Sequence, residues 1–91
     1  MIRDDSIVTV PRDVIFQALD GEAVLLNTRT EIYFGLDAVG TRIWQLLSEH
    51  RLPAKVVSAM LEEYDIEEAE LRSRVMEFIE KLRDKGLVEI A

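Results

Sequence analysis

The apolar residues of this sequence change their spacing at Asp37, and that change limits the possible folds more than any other feature. Before Asp37 they occur in short runs, rich in β-branched and aromatic residues and separated by polar turns, which indicates strands. After Asp37 they recur at helical spacing, which indicates helices. A chain with this pattern forms a sheet from its first third and packs helices against it.

The strand pattern predicts an antiparallel meander. Its strands are expected at residues 14–19, 22–26 and 31–36, with a turn at Asp20-Gly21 and a second polar turn at 27–30. Residues 7–10 are a short apolar run closed by Pro11, which favours an edge strand or a lead-in. Residues 87–90 are expected to form a short extended tail.

Three helices are expected after the meander. Asp37 is placed to cap the first helix, and Pro53 suits the first turn of the second. The third helix begins near residues 66–67 and ends at Gly86, which is a common helix stop. The sequence therefore predicts one domain over residues 1–91, of α+β class and winged-helix-like, with a three-stranded antiparallel sheet followed by three helices.

The composition excludes several classes of protein. The 91 residues contain no cysteine, so neither a disulfide scaffold nor a thiolate metal site is possible. The net charge of −7 opposes non-specific binding to nucleic acid. His50 is the only histidine, and the serines and glycines lie in no catalytic or phosphate-binding motif. We therefore expect no catalytic residue, no metal and no cofactor.

The N-terminal residues do not have the pattern of a signal peptide, and no apolar run is long enough to span a membrane. Together with the absence of cysteine, this predicts a cytoplasmic protein.

The third predicted strand is a candidate binding site. It carries one charge, at Glu31, and the chain runs from it directly into the helices, which favours a place at the edge of the sheet. An edge strand presents backbone N–H and C=O groups that lack partners. Either the helices cover this edge, or it stays available for an incoming peptide strand, as in β-augmentation.

The third predicted helix offers a possible groove wall beside that strand. Its core stripe is expected to be Leu71, Val75, Phe78 and Leu82. This places an apolar pair on an adjoining flank, bracketed by two arginines. The residues of that flank are Arg72, Met76, Ile79 and Arg83. The apolar pair either lines a groove or only widens the core stripe.

Residues 26–47, LNTRTEIYFGLDAVGTRIWQLL, resemble the signature of the PqqD-like family, the peptide-recognition domains of ribosomal peptide biosynthesis. The matching positions are Leu26, Asn27, Tyr33, Leu36, Asp37, Gly40, Ile43 and Trp44. The later stretch over residues 63–89, which begins with EYD and ends in Gly86-Leu87-Val88 and Glu89, resembles the last helix and tail of the family. Glu31 departs from the pattern, because many relatives have glycine there, and the geometry of this turn stays open. We expect Asp37 to act as a cap, Gly40 to allow close packing of the first helix on the sheet, and Trp44 to lie in the core.

The resemblance implies a RiPP recognition element, which binds a leader peptide as an added strand beside the third helix. Carried onto this sequence, it implies a binding site of Glu31, Ile32, Tyr33, Phe34, Gly35, Leu36, Arg72, Val75, Met76, Ile79 and Arg83. Within the family, the chain looks most like the stand-alone recognition proteins of lasso-peptide biosynthesis, which deliver a precursor to a separate leader protease and a cyclase.

Three alternatives remain at this stage. The nearest is a PqqD-type peptide chaperone for a radical-SAM enzyme. A winged-helix DNA-binding regulator is compatible with the element order, but the third helix mixes basic and acidic residues. A purely structural subunit of a larger assembly is the third.

Overall fold

A computed structural model of the chain describes residues 2–20 and 22–91. Their elements, in chain order, are β1 (Val8–Thr9), β2 (Val14–Leu19), β3 (Glu22–Asn27), β4 (Ile32–Leu36), α1 (Ala38–His50), α2 (Pro53–Glu63), α3 (Glu68–Asp84) and β5 (Glu89–Ile90). The predicted α+β fold, a three-stranded antiparallel sheet followed by three helices, is confirmed. The predicted turn at Asp20-Gly21 falls partly on Gly21, which lies outside the described residues.

The meander forms a sheet of order β2-β3-β4, with both pairs antiparallel. Leu25 of β3 lies opposite Phe16 of β2 and Phe34 of β4, so these three residues share the face that packs on the helices. The buried residues of β3, Ala23, Leu25 and Asn27, alternate with more exposed ones, as expected for a sheet covered on one face.

A second, two-stranded sheet pairs β1 with β5, the first and last elements in chain order. In it Val8 lies opposite Ile90 and Thr9 opposite Glu89. The sequence indicates both segments but not their pairing, because two-residue strands so far apart in the chain carry no local signal of each other.

The core lies between the inner face of the sheet and the three helices. Trp44 is buried in it, and Asp37 caps α1 by accepting a hydrogen bond from the backbone N–H of Gly40 at 2.7 Å, so both expectations are confirmed. Gly40 is buried as well, and a Cβ there would lie 3.2 Å from a ring atom of Phe78 and 3.5 Å from Leu36. Glycine therefore allows α1 to approach both β4 and α3.

Asn27 connects the turn after β3 to the end of α3. Its side-chain oxygen accepts hydrogen bonds from the backbone N–H groups of Arg29 and Thr30, and its amide group donates to the carbonyl of Gly86 at 2.9 Å. The side chain is only 2% exposed, so these bonds satisfy a buried polar group. This network gives a physical reason for an asparagine at this position of the signature.

Among the described residues, no helix is long and apolar enough to cross a lipid bilayer.

Candidate functional site

Strand β4 lies at the edge of its sheet. It pairs with β3 on one side, and no strand in the described part of the chain pairs with its other side. Its first residues are well exposed, Tyr33 at 68%, whereas Leu36 is buried. The backbone groups on the outer side are therefore available to a further strand.

A groove with a volume of about 470 Å³ runs between β4, the start of α1 and α3. Its lining residues are Phe34, Gly35, Leu36, Asp37, Val39, Gly40, Ile43, Arg74, Glu77, Phe78 and Lys81. Phe34 and Phe78 meet edge to face, with ring centroids 6.1 Å apart, and so hold β4 and α3 together. The groove is apolar along its floor and charged along its α3 wall.

The α3 wall of this groove carries charges of both signs. Arg74 and Lys81 line the groove, and the ammonium of Lys85 lies 5.9 Å from the centroid of the Phe34 ring. Arg74 is partly neutralised by Glu70 at 3.3 Å, and Glu77 adds one carboxylate to the wall. The groove thus presents both cationic and anionic groups beside β4.

The structure corrects the predicted orientation of α3. Its buried stripe is Leu71, Val75, Ile79 and Leu82. Ile79 is 0% exposed, whereas Phe78, which was expected in the core, is half-buried and lines the groove. Both stripes have helical spacing and differ at one position, so the sequence alone did not distinguish them. The Phe78 ring instead packs against Phe34 of the sheet.

The other residues of the predicted α3 flank also lie away from the groove. Val75 is fully buried and Met76 is half-buried against the core. Arg72 forms ion pairs with Asp4 in the N-terminal segment and with Glu68, and Arg83 lies near Asp84. None of Arg72, Val75, Met76, Ile79 and Arg83 lines the groove, whereas Phe34, Gly35 and Leu36 of the predicted strand do.

The α3 residues that do line the groove were not predicted as site residues from the sequence: Arg74, Glu77, Phe78 and Lys81. They recur at helical spacing, so the sequence does show that they share a face. Which face of α3 meets β4 depends on tertiary packing, and no local pattern reports it.

The outer face of the sheet, opposite the helices, carries a row of apolar side chains. Ile15 lies opposite Leu26, which in turn lies opposite Tyr33. Ile15 and Tyr33 are both exposed, and Leu26 between them is half-buried. This row, Ile15–Leu26–Tyr33, is continuous with β4 but faces away from the core.

One ionic contact outside the groove joins α1 to the end of α2. Arg42 of α1 and Glu63 at the end of α2 form a bidentate pair, with Nε to Oε1 at 2.7 Å. The hydrogen bond from Arg42 lowers the pKa of Glu63 below its usual value, and the same contact raises the pKa of Arg42. Over residues 2–20 and 22–91, no group of three or more His, Cys, Asp or Glu side chains is arranged to hold a metal ion.

Comparison with known proteins identifies relatives of this chain. The family model described as coenzyme PQQ synthesis protein D (PqqD) matches residues 22–88. No curated protein matches the sequence. A solved structure described as TbiB1 in complex with the TbiA(beta) leader peptide is 38% identical, with a TM-score of 0.83, over 89% of this chain and 94% of that one.

A second solved structure, described as lasso peptide synthetase B1 complexed with the leader peptide, has a TM-score of 0.82 over 90% of this chain and 96% of that one. At 22% identity it supports the fold alone. The family match covers β3, β4, all three helices and the Asn27 network, so most of the described fold is the shared part. The chain belongs to the PqqD family.

Proposed function

We propose that this chain binds the leader segment of a ribosomally made precursor peptide and presents it to processing enzymes in lasso-peptide biosynthesis. The observation that carries this proposal is the open edge of β4 beside a groove formed with α3. Likeness to TbiB1, whose structure contains a leader peptide, supports it.

The leader adds to β4 as a fourth strand of the sheet. Its backbone pairs with residues 32–36, and alternate side chains point into the groove, where Phe34, Phe78 and Lys81 contact them. Backbone pairing contributes affinity that depends little on sequence, and the groove adds selectivity. Tyr33 contributes through its backbone as part of β4, and Glu31 lies in the turn just before the strand. Val75 and Ile79 support α3 from its core side and do not touch the peptide.

The chain acts as a binding protein without turnover of its own. Removal of the leader belongs to a separate leader protease, and closure of the ring belongs to a cyclase. The Ile15–Leu26–Tyr33 row is a surface that such a partner can contact while the leader is bound. It belongs to the sheet that the leader extends, but it faces away from the groove. We therefore assign contact with the protease to this row.

A PqqD-type peptide chaperone for a radical-SAM enzyme is the second candidate function, because the matching family model is described as coenzyme PQQ synthesis protein D. The two functions differ in the peptide that binds. Titration with a PQQ precursor and with a lasso precursor leader separates them, because only the true substrate shows saturable binding.

Fluorescence polarisation tests the proposal with the labelled leader of the precursor encoded beside this chain's gene. Val39→Asp places a charge on the groove lining, at a residue that is 39% exposed and near the helix start, so the variant folds. We expect binding at least about tenfold weaker, because the new carboxylate must lose water where the peptide binds.

Val10→Asp is the matched control, since Val10 is 36% exposed and does not line the groove. Its affinity should stay close to that of the unchanged protein. Equal affinities in both variants would place the binding site elsewhere, and no binding by the unchanged protein would refute the proposed function.

A further inference from the structure

Strand β2 is the second open edge of the main sheet. It pairs with β3 on one side, and no strand within residues 2–20 and 22–91 pairs with its other side. Natural edge strands are commonly protected by charged residues or proline, but the six residues of β2, VIFQAL, include neither. Ile15 and Phe16 of this strand are 46% and 38% exposed. An uncharged, partly apolar edge of this kind is suited to pairing with a further strand.

The bonds between β2 and β3 show which backbone groups of β2 point outward. The N–H of Thr28 donates to the carbonyl of Asp13 at 2.8 Å, which makes these two residues a hydrogen-bonded pair. Such pairs alternate along antiparallel strands, so every second residue of β2 bonds to β3. The outward N–H and C=O groups in the middle of the strand are therefore those of Phe16 and Ala18.

A cavity of about 320 Å³ lies beside this edge, between β2, β3 and α1. Three alanines contribute to its lining, Ala18 of β2, Ala23 of β3 and Ala38 of α1, and Phe16 adjoins them. The volume corresponds to roughly ten water molecules at about 30 Å³ each, enough for an aromatic ring. The edge of β2 thus carries both an exposed ring and a space that fits one.

The two ends of β2 carry charges of opposite sign. Arg12 precedes the strand, together with Asp13, whose carboxylate is paired with Arg29 at 3.6 Å. Asp20 and Glu22 follow the strand and are both exposed. Two β2 strands side by side therefore place unlike charges together when they are antiparallel and like charges together when they are parallel. This complementarity makes a second copy of the same chain a fitting partner for the edge.

We infer that two copies of this chain associate through β2, antiparallel about a two-fold axis at Gln17, so that their sheets join into one. Phe16 of one copy then lies opposite Ala18 of the other, and each ring enters the alanine-lined cavity of the other copy. The outward backbone groups of these two residues bond across the axis. The association goes beyond leader binding and does not require it, since β4 stays open at both ends of the joined sheet.

A two-fold axis at Phe16 is the other register that the outward groups allow. It would bring the two Phe16 rings together and leave both alanine-lined cavities unfilled. It would also require the N–H of Val14, which already donates to the carbonyl of Pro11 at 3.1 Å. The axis at Gln17 satisfies the backbone groups without this competition.

Disulfide trapping tests the inference, because the chain contains no cysteine of its own. Gln17→Cys places one thiol at the axis, where the two Cα atoms would lie about 4.5 Å apart, within reach of a disulfide. Ile15→Cys is the matched control on the same face of the same strand. Its two copies would lie two residues on either side of the axis, about 13 Å apart, which is too far for a disulfide.

We expect the unchanged protein to sediment with about twice the monomer mass at high concentration and physiological salt, where the repulsion between two acidic proteins is screened. Gln17→Cys should cross-link at least about tenfold faster than Ile15→Cys, because pairing raises the effective concentration of the thiol.

A second substitution places a charge on the edge itself. Ala18 is exposed, so Ala18→Lys should fold, which circular dichroism checks, and Phe16→Ala replaces it if it does not. In the Gln17→Cys protein, Ala18→Lys should reduce cross-linking to the rate of Ile15→Cys. Val10→Lys is its control and should leave the rate unchanged, because Val10 is 36% exposed and does not line this cavity.

A monomer mass at every concentration would overturn the inference. So would equal cross-linking of Gln17→Cys and Ile15→Cys, or cross-linking that Ala18→Lys does not slow. If the amides of Phe16 and Ala18 gain protection from hydrogen exchange with added leader but not with rising protein concentration, the edge binds the leader and not a second copy.

Discussion

Replacing Glu31 with glycine should stabilise this protein. Glu31 lies in the turn between β3 and β4 with φ of 62°, in the left-handed region that side chains with a Cβ disfavour. Its backbone N–H donates to the carbonyl of Asn27 at 2.7 Å, so the turn holds it in this conformation.

The magnitude follows from two opposing effects. The left-handed conformation costs a residue with a Cβ about 1–2 kcal/mol, which glycine removes. Glycine also gives the unfolded chain more freedom, which lowers stability by about 0.4–1 kcal/mol. The net gain is then between about 0 and 1.6 kcal/mol, with a central value of about 0.8 kcal/mol, which raises Tm by about 3–6 °C for a domain of this size.

Thermal unfolding followed by circular dichroism measures the change. Thr30→Gly is the control, since the neighbouring Thr30 has no positive φ and should lose about 0.4–1 kcal/mol from the freer unfolded chain. Equal destabilisation by Glu31→Gly and Thr30→Gly would show that the turn does not hold Glu31 in the left-handed region.

Three further predictions concern the network, the ion pair and the outer face. Asn27→Ala should lower stability by about 2–4 kcal/mol in urea unfolding, because three part-buried hydrogen bonds, to Arg29, Thr30 and Gly86, are lost together. A loss smaller than that of Thr30→Gly would show that the network contributes little. Glu63→Gln should be less stable than the unchanged protein at neutral pH, since the lowered pKa of Glu63 means that its ionised form favours folding. This difference in stability should vanish as pH falls through the folded-state pKa of Glu63, which lies below the usual value of 4.5. A stability difference that does not change with pH would show that the Glu63 carboxylate is not its source. Ile15→Asp should slow leader removal by the partner protease in a coupled assay, while leader affinity stays within about twofold. Leader removal at the normal rate would show that the outer face does not contact the protease.

Local patterns determined much of this fold. Asp37 and Pro53 begin their helices where their side chains favour a start, and Gly86 follows α3 with φ of 71°. These positions depend on neighbouring residues alone, so a single sequence reports them. The edge position of β4 followed from chain order, because the helices begin directly after it.

Only half of the candidate site could be predicted from the sequence, and the reason is physical. The β4 residues were identified from the strand itself, but the facing side of α3 was not. Phe78 and Ile79 are adjacent, both are large and apolar, and either continues the stripe of Leu71 and Val75. The choice depends on Phe34 across the groove, a contact that no pattern within the helix records.

Hydrogen exchange of the β4 amides tests the central claim most directly. The chain is compared free and saturated with the leader of its neighbouring precursor, by NMR or mass spectrometry. If the leader adds as a strand, the amides of residues 32–36 that point away from β3 gain protection, while those on the exposed side of α2 exchange as before. Saturable binding with unchanged exchange in β4, and protection elsewhere, would contradict the account.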